Sequence, residues 1–442
     1  MAMLKILPEY IRRNKRIVIF LFCVIFGISL CANLYHVFTN PEKPLGGNIH
    51  LGAEYYFIAK AIASGKGFSN PFKVNTGPTA WMPPLYPFFL AFLIKLLQKR
   101  LLIACVVVFL KNIVLIFNGL VIYEIAKRTL TKIRAEYILV LYIVWLLTDF
   151  LSFFLFTHDS WLLLLFICSI FLLTVFIKRN IIDLKTAIIW GVVGGLSVLT
   201  SPIVGLVWLI ICLFVVLAGR NVKLLLLSSA LFFLFCSPWI VRNYLVFDKL
   251  IFMKSNLFFD AHFANCEKDD GLIDSPFFSD NHPVWNANKD PNSLYRKLGE
   301  IKFLETYKKE FLSEINKNPY TYMRKIKNRL FAALVIYYPF FEDEKFIAWK
   351  TIIHALPFVC IIFIIILKGY TGSDYIKIAM LIYGVYLLPY ILIIYYLRYG
   401  IPLTPLKVLF TFWGIDLLIT RWPKLFTKRS TQIQHPPKQL QR

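Results

Sequence analysis

The sequence predicts an all-α polytopic membrane protein with about ten transmembrane helices. Three observations carry that expectation. The chain of 442 residues is 58% hydrophobic and only 17% charged, where a soluble domain would be about a quarter charged. Apolar runs of about 18 residues or more recur along it. Lys and Arg gather beside the ends of these runs, which marks cytoplasmic loops. The formal charge of +24 follows from that placement and not from nucleic-acid binding, because the sequence holds no nucleic-acid recognition module.

Arg12, Arg13, Lys15 and Arg16 put residues 1–16 in the cytoplasm. The apolar stretch 17–38 is then a retained first span, too long for a signal-peptide core and followed by no small-residue cleavage site. Residues 39–100 form the first outer loop. Within it, 84–97 is apolar but short, at ~1.5 Å of rise per residue against a core of ~30 Å. Pro84 and Pro87 suit a first helical turn, so an interfacial helix is expected there.

Spans follow at 101–123, 137–156 and 161–177, with the basic loop Lys127, Arg128, Lys132 and Arg134 between the first two. Residues 186–219 read as a helical hairpin around Gly191, Gly194, Gly195, Pro202 and Gly205, and a further span runs from Lys223 to Trp239. Residues 242–345 are the one long polar region, an outer-face soluble region with amphipathic stretches near 294–316 and 319–333. Spans at 346–367, 376–397 and 403–420 complete the set. The chain therefore divides into a transmembrane region 1–241, the outer-face region 242–345, C-terminal helices 346–421 and a basic cytoplasmic tail 422–442. All cysteines but Cys266 lie in apolar runs, where Cys acts as a small hydrophobe, and no disulfide framework is expected.

Charge at membrane depth is costly and usually functional. Glu54, His158, Asp159, Arg242 and Arg398 all fall on the expected outer face. Glu54 opens "GAEYYFIAKAIASGKGF" (52–68), in which Tyr55, Ile58, Ala59 and Ile62 follow helical spacing. A helix start favours a carboxylate, so Glu54 reads either as a cap or as a reactive group. Arg242 and Asn243 in "SPWIVRNYLVF" (237–247) and Arg398 in "LRYGIPL" (397–403) stand where spans emerge. Each arginine reads either as an interfacial anchor or as a planar fork for phosphate. "THDS" (157–160) is either a polar turn or a place where His158 and Asp159 bind a divalent metal or an acceptor hydroxyl. His50, His262 and His282 are also outside and within topological reach of Glu54, without metal-ligand spacing. No P-loop or dinucleotide-binding glycine fingerprint is present, which argues against direct use of a nucleotide.

The segment "GAEYYFIAKAIASGKGFSNPF" with "TGPTAWMPPLYPFFLAF" resembles the first outer loop of GT-C glycosyltransferases. The likeness is to bacterial members related to dolichyl-phosphate-mannose protein mannosyltransferases and aminoarabinose transferases. "SPWIVRNYLVF", "NPYTYMRKIKNRL" and "RYGIPLTP" resemble later landmarks of the same group, in order along most of the chain. The resemblance implies an inverting enzyme that moves a sugar from a polyprenyl-phosphate donor to an acceptor glycan, lipid or protein. It places the active site on the extracytoplasmic side of the cell (inner) membrane. By this likeness Glu54 and Asp159 are the catalytic carboxylates, and Arg242, Arg398 and Asn243 hold the donor phosphate. Tyr55, His158, Trp81 and Tyr86 line the substrate. One departure is that many members carry an aspartate about four residues before the tyrosine matching Tyr55, where this chain has Leu51. Glu54, close to one helical turn further on, presents a carboxylate on a similar face. The rival readings are a non-catalytic polyprenyl-phosphate binder or transporter, for which Lys111 and His354 are the residues to watch, and a docking member of a cell-envelope assembly.

Overall fold

The computed structural model describes residues 19–24, 26–28, 30, 31, 34, 51–148, 159–179, 182–217, 221–284, 290, 292–340, 346–369 and 371–431. Among the described residues every regular element is helical, and β structure is limited to isolated bridges at Ser69–Pro78 and Leu272–Tyr395. Most of the expected first span 17–38, the outer-loop start 39–50 with His50, the second half of the span 137–156, His158 and the end of the tail lie outside the described residues.

Two short helices come first, α1 (Ala53–Ala63) and α2 (Leu85–Leu97), packed against each other. The bundle then continues through α3 (Arg100–Thr129), α4 (Tyr137–Thr148), α5 (Ser160–Arg179), α6 (Leu184–Thr200), α7 (Pro202–Leu217) and α8 (Val222–Phe247). The polar region supplies α9 (Leu257–Asn265), α10 (Ser275–Asn281), α11 (Leu294–Lys317) and α12 (Pro319–Leu334). The chain closes with α13 (Ile347–Ile366), α14 (Asp374–Leu392), a 3₁₀ turn (Leu397–Leu403) and α15 (Thr404–Thr431).

Among the described residues six helices are long and apolar enough to cross a membrane: α3, α5, α8, α13, α14 and the run Leu397–Arg421. The expectation of about ten spans is met in part, because the remaining apolar helices are shorter. α6 and α7 have 17 and 16 residues, or about 25 Å at the α-helical rise, just under the thickness of a bilayer core. They form the hairpin that the glycines and Pro202 suggested, broken at Ser201. A Cβ on Gly191 would lie 2.7 Å from the Ser228 carbonyl, and one on Gly195 would lie 2.6 Å from Phe235. Small residues on α6 are therefore what let α8 approach closely.

The two ends of the bundle differ in chemistry. One end is basic, with Lys127 and Arg128 closing α3 and Lys178 and Arg179 closing α5, as the helix dipole favours. There Lys178 Nζ meets Asp374 Oδ1 at 3.3 Å. Asp416 of α15 accepts the backbone N–H groups of Thr131, Lys132 and Ile133 at 3.0, 2.7 and 2.9 Å. The other end carries α1, the loop 64–84 and the polar region. A second core joins them, in which Phe72 and Trp81 of the loop pack with Phe259, Phe263, Tyr295, Phe303 and Tyr396.

α8 runs two turns past its expected end at Trp239, so Arg242 and Asn243 lie on the helix itself. The extra turns have a partner to pack on. Trp239 Nε1 donates to the Met253 carbonyl at 2.8 Å and Asn243 Nδ2 to the Ile251 carbonyl at 3.1 Å, folding 248–253 back along the helix.

Candidate functional site

α1 buries Tyr55, Ile58 and Ala59 in the bundle, with Leu51 just before it fully buried. Leu51 is thus part of the apolar core, and the acid of this segment is Glu54, in the first turn. The Glu54 side chain is 14% exposed. Burial pushes its carboxyl above the ordinary value, Arg398 opposes that rise, and Asp260 and Asp159 add to it.

Four elements bring these charges together. Arg398 comes from the 3₁₀ turn, its guanidinium over the rings of Tyr396 and Tyr399 at 5.3 and 5.4 Å from the centroids. Asp159 immediately precedes α5 and accepts the Tyr55 hydroxyl on Oδ2 at 2.8 Å. Asp260 sits on α9, where Lys254 Nζ stands 3.6 Å from Oδ2. Burial raises the Asp260 carboxyl too, with Lys254 and Arg398 opposing. One guanidinium therefore lies within electrostatic reach of three carboxylates from three different elements. Tyr86 packs edge-on against Tyr55 at 5.2 Å and against Trp161 at 6.4 Å, forming an aromatic wall beside Asp159.

His282 is the histidine that reaches Glu54, with Nε2 4.0 Å from Oε1. His262 does not, because its Nδ1 and Nε2 pair with Glu267 and Glu310 at 3.1 and 2.8 Å. Burial, with Arg398 nearby, pushes His282 down to about 3, so its ring is neutral near pH 7.

Arg242 belongs to a different constellation. Its guanidinium donates to the carbonyls of Thr79 and Phe68 at 2.7 and 2.8 Å and to Asn243 Oδ1 at 3.0 Å. Phe68 and Thr79 are the neck of the loop 68–79, so Arg242 clamps that neck onto α8. Beside it Glu300 accepts from Thr79 Oγ1, from the Ala80 N–H at 2.8 Å, from Ser255 Oγ at 2.7 Å and from the Tyr295 hydroxyl at 3.0 Å. Gly299, at φ 71, breaks α11 there and lets Glu300 begin a fresh helical run. Trp81 is fully buried among Phe72, Phe259, Tyr295 and Phe303, with its ring centroid 6.3 Å from that of His282.

Of the residues singled out in the sequence, Glu54, Tyr55, Asp159, Arg398 and Tyr86 converge. Arg242, Asn243 and Trp81 instead secure the loop, and His158 lies outside the described residues. The sequence reading passed over Asp260 and Glu300. Asp260 had a signal, an acid set inside the aromatic run "LFFDAHFAN". Glu300 had none, since two of its partners, Thr79 and Ala80, come from 221 and 220 residues away. Among the described residues no group of three or more His, Cys, Asp or Glu side chains is arranged to hold a metal ion. Comparison with protein-family models, with curated proteins and with solved structures finds no match to this chain.

Proposed function

We propose that the chain is a GT-C type membrane glycosyltransferase that moves a sugar from a polyprenyl-phosphate donor to an acceptor hydroxyl. The observation that carries this reading is the electrostatic coupling of Glu54 and Arg398 in one partly buried cluster, together with the ordered sequence landmarks. An acceptor oxygen attacks the anomeric carbon, the bond from that carbon to the phosphate oxygen breaks, and the lipid phosphate leaves with the electron pair. Glu54 takes the acceptor's proton. Arg398 stabilises the charge growing on the phosphate, a task for which a planar fork of donors suits it. Asp159 and Tyr55 orient the acceptor side, and the donor's tail lies along the apolar flank of α2. Phosphate recognition in this reading rests on Arg398, because Arg242 already serves the loop carbonyls. In this reading the basic end of the bundle faces the cytoplasm, as the positive-inside rule favours, and the cluster faces the extracytoplasmic side of the cell membrane.

The test is transfer from labelled polyprenyl-phosphate sugars in membranes holding the wild-type chain or Glu54→Gln. Loss of transfer in the variant is expected, and full transfer removes Glu54 from the mechanism. The transporter reading draws no support from Lys111 and His354, which are both buried.

A further inference from the structure

The transferase reading gives no task to His282, a buried histidine at the edge of the cluster. His282 Nδ1 accepts the backbone N–H of Val284 at 3.2 Å. The proton of the neutral ring is therefore on Nε2. The ring is held in place, stacked on Phe278 at 4.4 Å and met by Phe259 and Phe263 edge-on at 5.1 and 6.0 Å. Nε2 points to Glu54, and the 4.0 Å between Nε2 and Oε1 is too long for a hydrogen bond between the two. It suits one oxygen that touches both, at about 2.8 Å from each. That oxygen has to accept from Nε2–H and donate to a carboxylate. An alcohol hydroxyl does both, whereas an ionised phosphate oxygen has no proton to give.

We propose that His282 and Glu54 together form a hydroxyl-binding subsite, which holds a substrate alcohol between Nε2–H and the Glu54 carboxylate. The subsite rests on the transferase reading for its chemistry and on the fixed histidine ring for its place. Its ligand is a neutral sugar or other alcohol hydroxyl, from the acceptor or from the donor's sugar ring. The charged groups around the pair are Arg398, which faces both residues, and Asp260 and Asp159, which face Glu54. His282 receives the hydroxyl oxygen while Glu54 receives its proton, so the two roles are complementary. The depressed basicity of His282 suits this, since the ring stays a neutral donor at neutral pH.

The experiment uses the full chain in detergent micelles with isotope-labelled histidine nitrogens. The His282 signal, assigned by its loss in His282→Phe, is expected to report a neutral ring protonated at Nε2 between about pH 5 and 8, and to shift on titration with methyl glycosides. An imidazolium, a ring protonated at Nδ1, or a signal that no glycoside moves overturns the subsite. The kinetic arm follows transfer from a labelled polyprenyl-phosphate sugar to methyl glycosides. His282→Phe keeps the ring stacking and is expected to raise the acceptor KM about tenfold, with a smaller loss in kcat. His282→Gln, whose amide N–H reaches toward the place of Nε2, recovers most of that loss. A rise in donor KM instead assigns the hydroxyl to the donor sugar and supports the same subsite. Unchanged KM for both substrates in His282→Phe overturns it. The transferase reading fails by a separate result, full transfer by Glu54→Gln, whatever the histidine spectrum reports.

Discussion

Glu54, partly buried, and Glu300, buried, are glutamates at the same end of the bundle, each at the start of a helical run and each near an arginine. They differ in what their oxygens touch. Glu300 accepts from Thr79, Ala80, Ser255 and Tyr295, and through them fastens the loop to the polar region. Glu54 has the His282 ring at 4.0 Å and no hydrogen bond to another residue among those described. The arginines divide the same way, Arg242 bonded to loop carbonyls and Arg398 set over two tyrosine rings amid acids. A carboxylate drawn partly out of water, with its own backbone N–H as its hydrogen-bond donor, is less well satisfied than one held by four neighbouring groups. The less satisfied carboxylate is the one the proposed reading gives to a substrate, while the satisfied one holds the structure together.

The strongest test of this contrast replaces each glutamate by glutamine. Glu54→Gln is expected to lower transfer by about 10²–10⁴, with melting in detergent changed by less than about 1 kcal/mol. Glu300→Gln is expected to do the reverse. Its amide group opposes donors it should accept from, which costs about 2–4 kcal/mol of stability, while the folded fraction transfers sugar near the wild-type rate. If both variants lost activity equally while folded, the division into fastener and reactive group would collapse.

The arginines give a smaller and complementary effect. Arg398→Lys replaces a planar fork by a point charge and is expected to raise the donor KM about tenfold with little change in melting. Arg242→Lys is expected to lower stability by about 1–3 kcal/mol, because one ammonium does not span the Thr79 and Phe68 carbonyls as a guanidinium does. Its donor KM stays within about twofold. A large donor effect in Arg242→Lys would return that residue to the phosphate.

The helices were legible because hydropathy is local. The amphipathic stretches near 294–316 and 319–333 are α11 and α12, and the glycine-rich hairpin is α6 and α7. The direction of functional side chains was legible only in part. Glu54 and Arg398 were visible as charges at apolar edges, yet so was Arg242, and nothing local separates an arginine facing acids from one facing carbonyls. Arg329 makes the same point. It lies in the landmark "NPYTYMRKIKNRL" and is fully buried, bonded to the Ile391 and Leu392 carbonyls at 2.8 and 3.0 Å. There it serves the carbonyls at the end of α14, which lack helical partners. A conspicuous motif residue therefore acts on backbone groups 62 and 63 positions away, a partnership that no spacing rule encodes.

The smallest expected effect separates the two histidines of the polar region. Burial disfavours the His262 charge, but the Cys266 and Glu267 side chains outweigh it and push the group up to about 9. A raised folded value means that its contribution is fully present below the ordinary 6.5 and is lost as pH rises through about 9. Its size is about 1–2 kcal/mol once the exposure of Glu310 is allowed for. His282 has the opposite sign. Held down to about 3, it contributes above 6.5 and loses that contribution as pH falls toward 3. The measurement is melting in detergent of wild type against His262→Gln from pH 6 to 10. The difference between the two should shrink across that window, with Tyr307, Cys266, Glu267 and Glu310 as the groups facing His262. A gap that stayed constant would mean that His262 is neutral throughout. It would then resemble His282, and ion pairing would no longer distinguish the fastening side of the polar region from the side that faces Glu54.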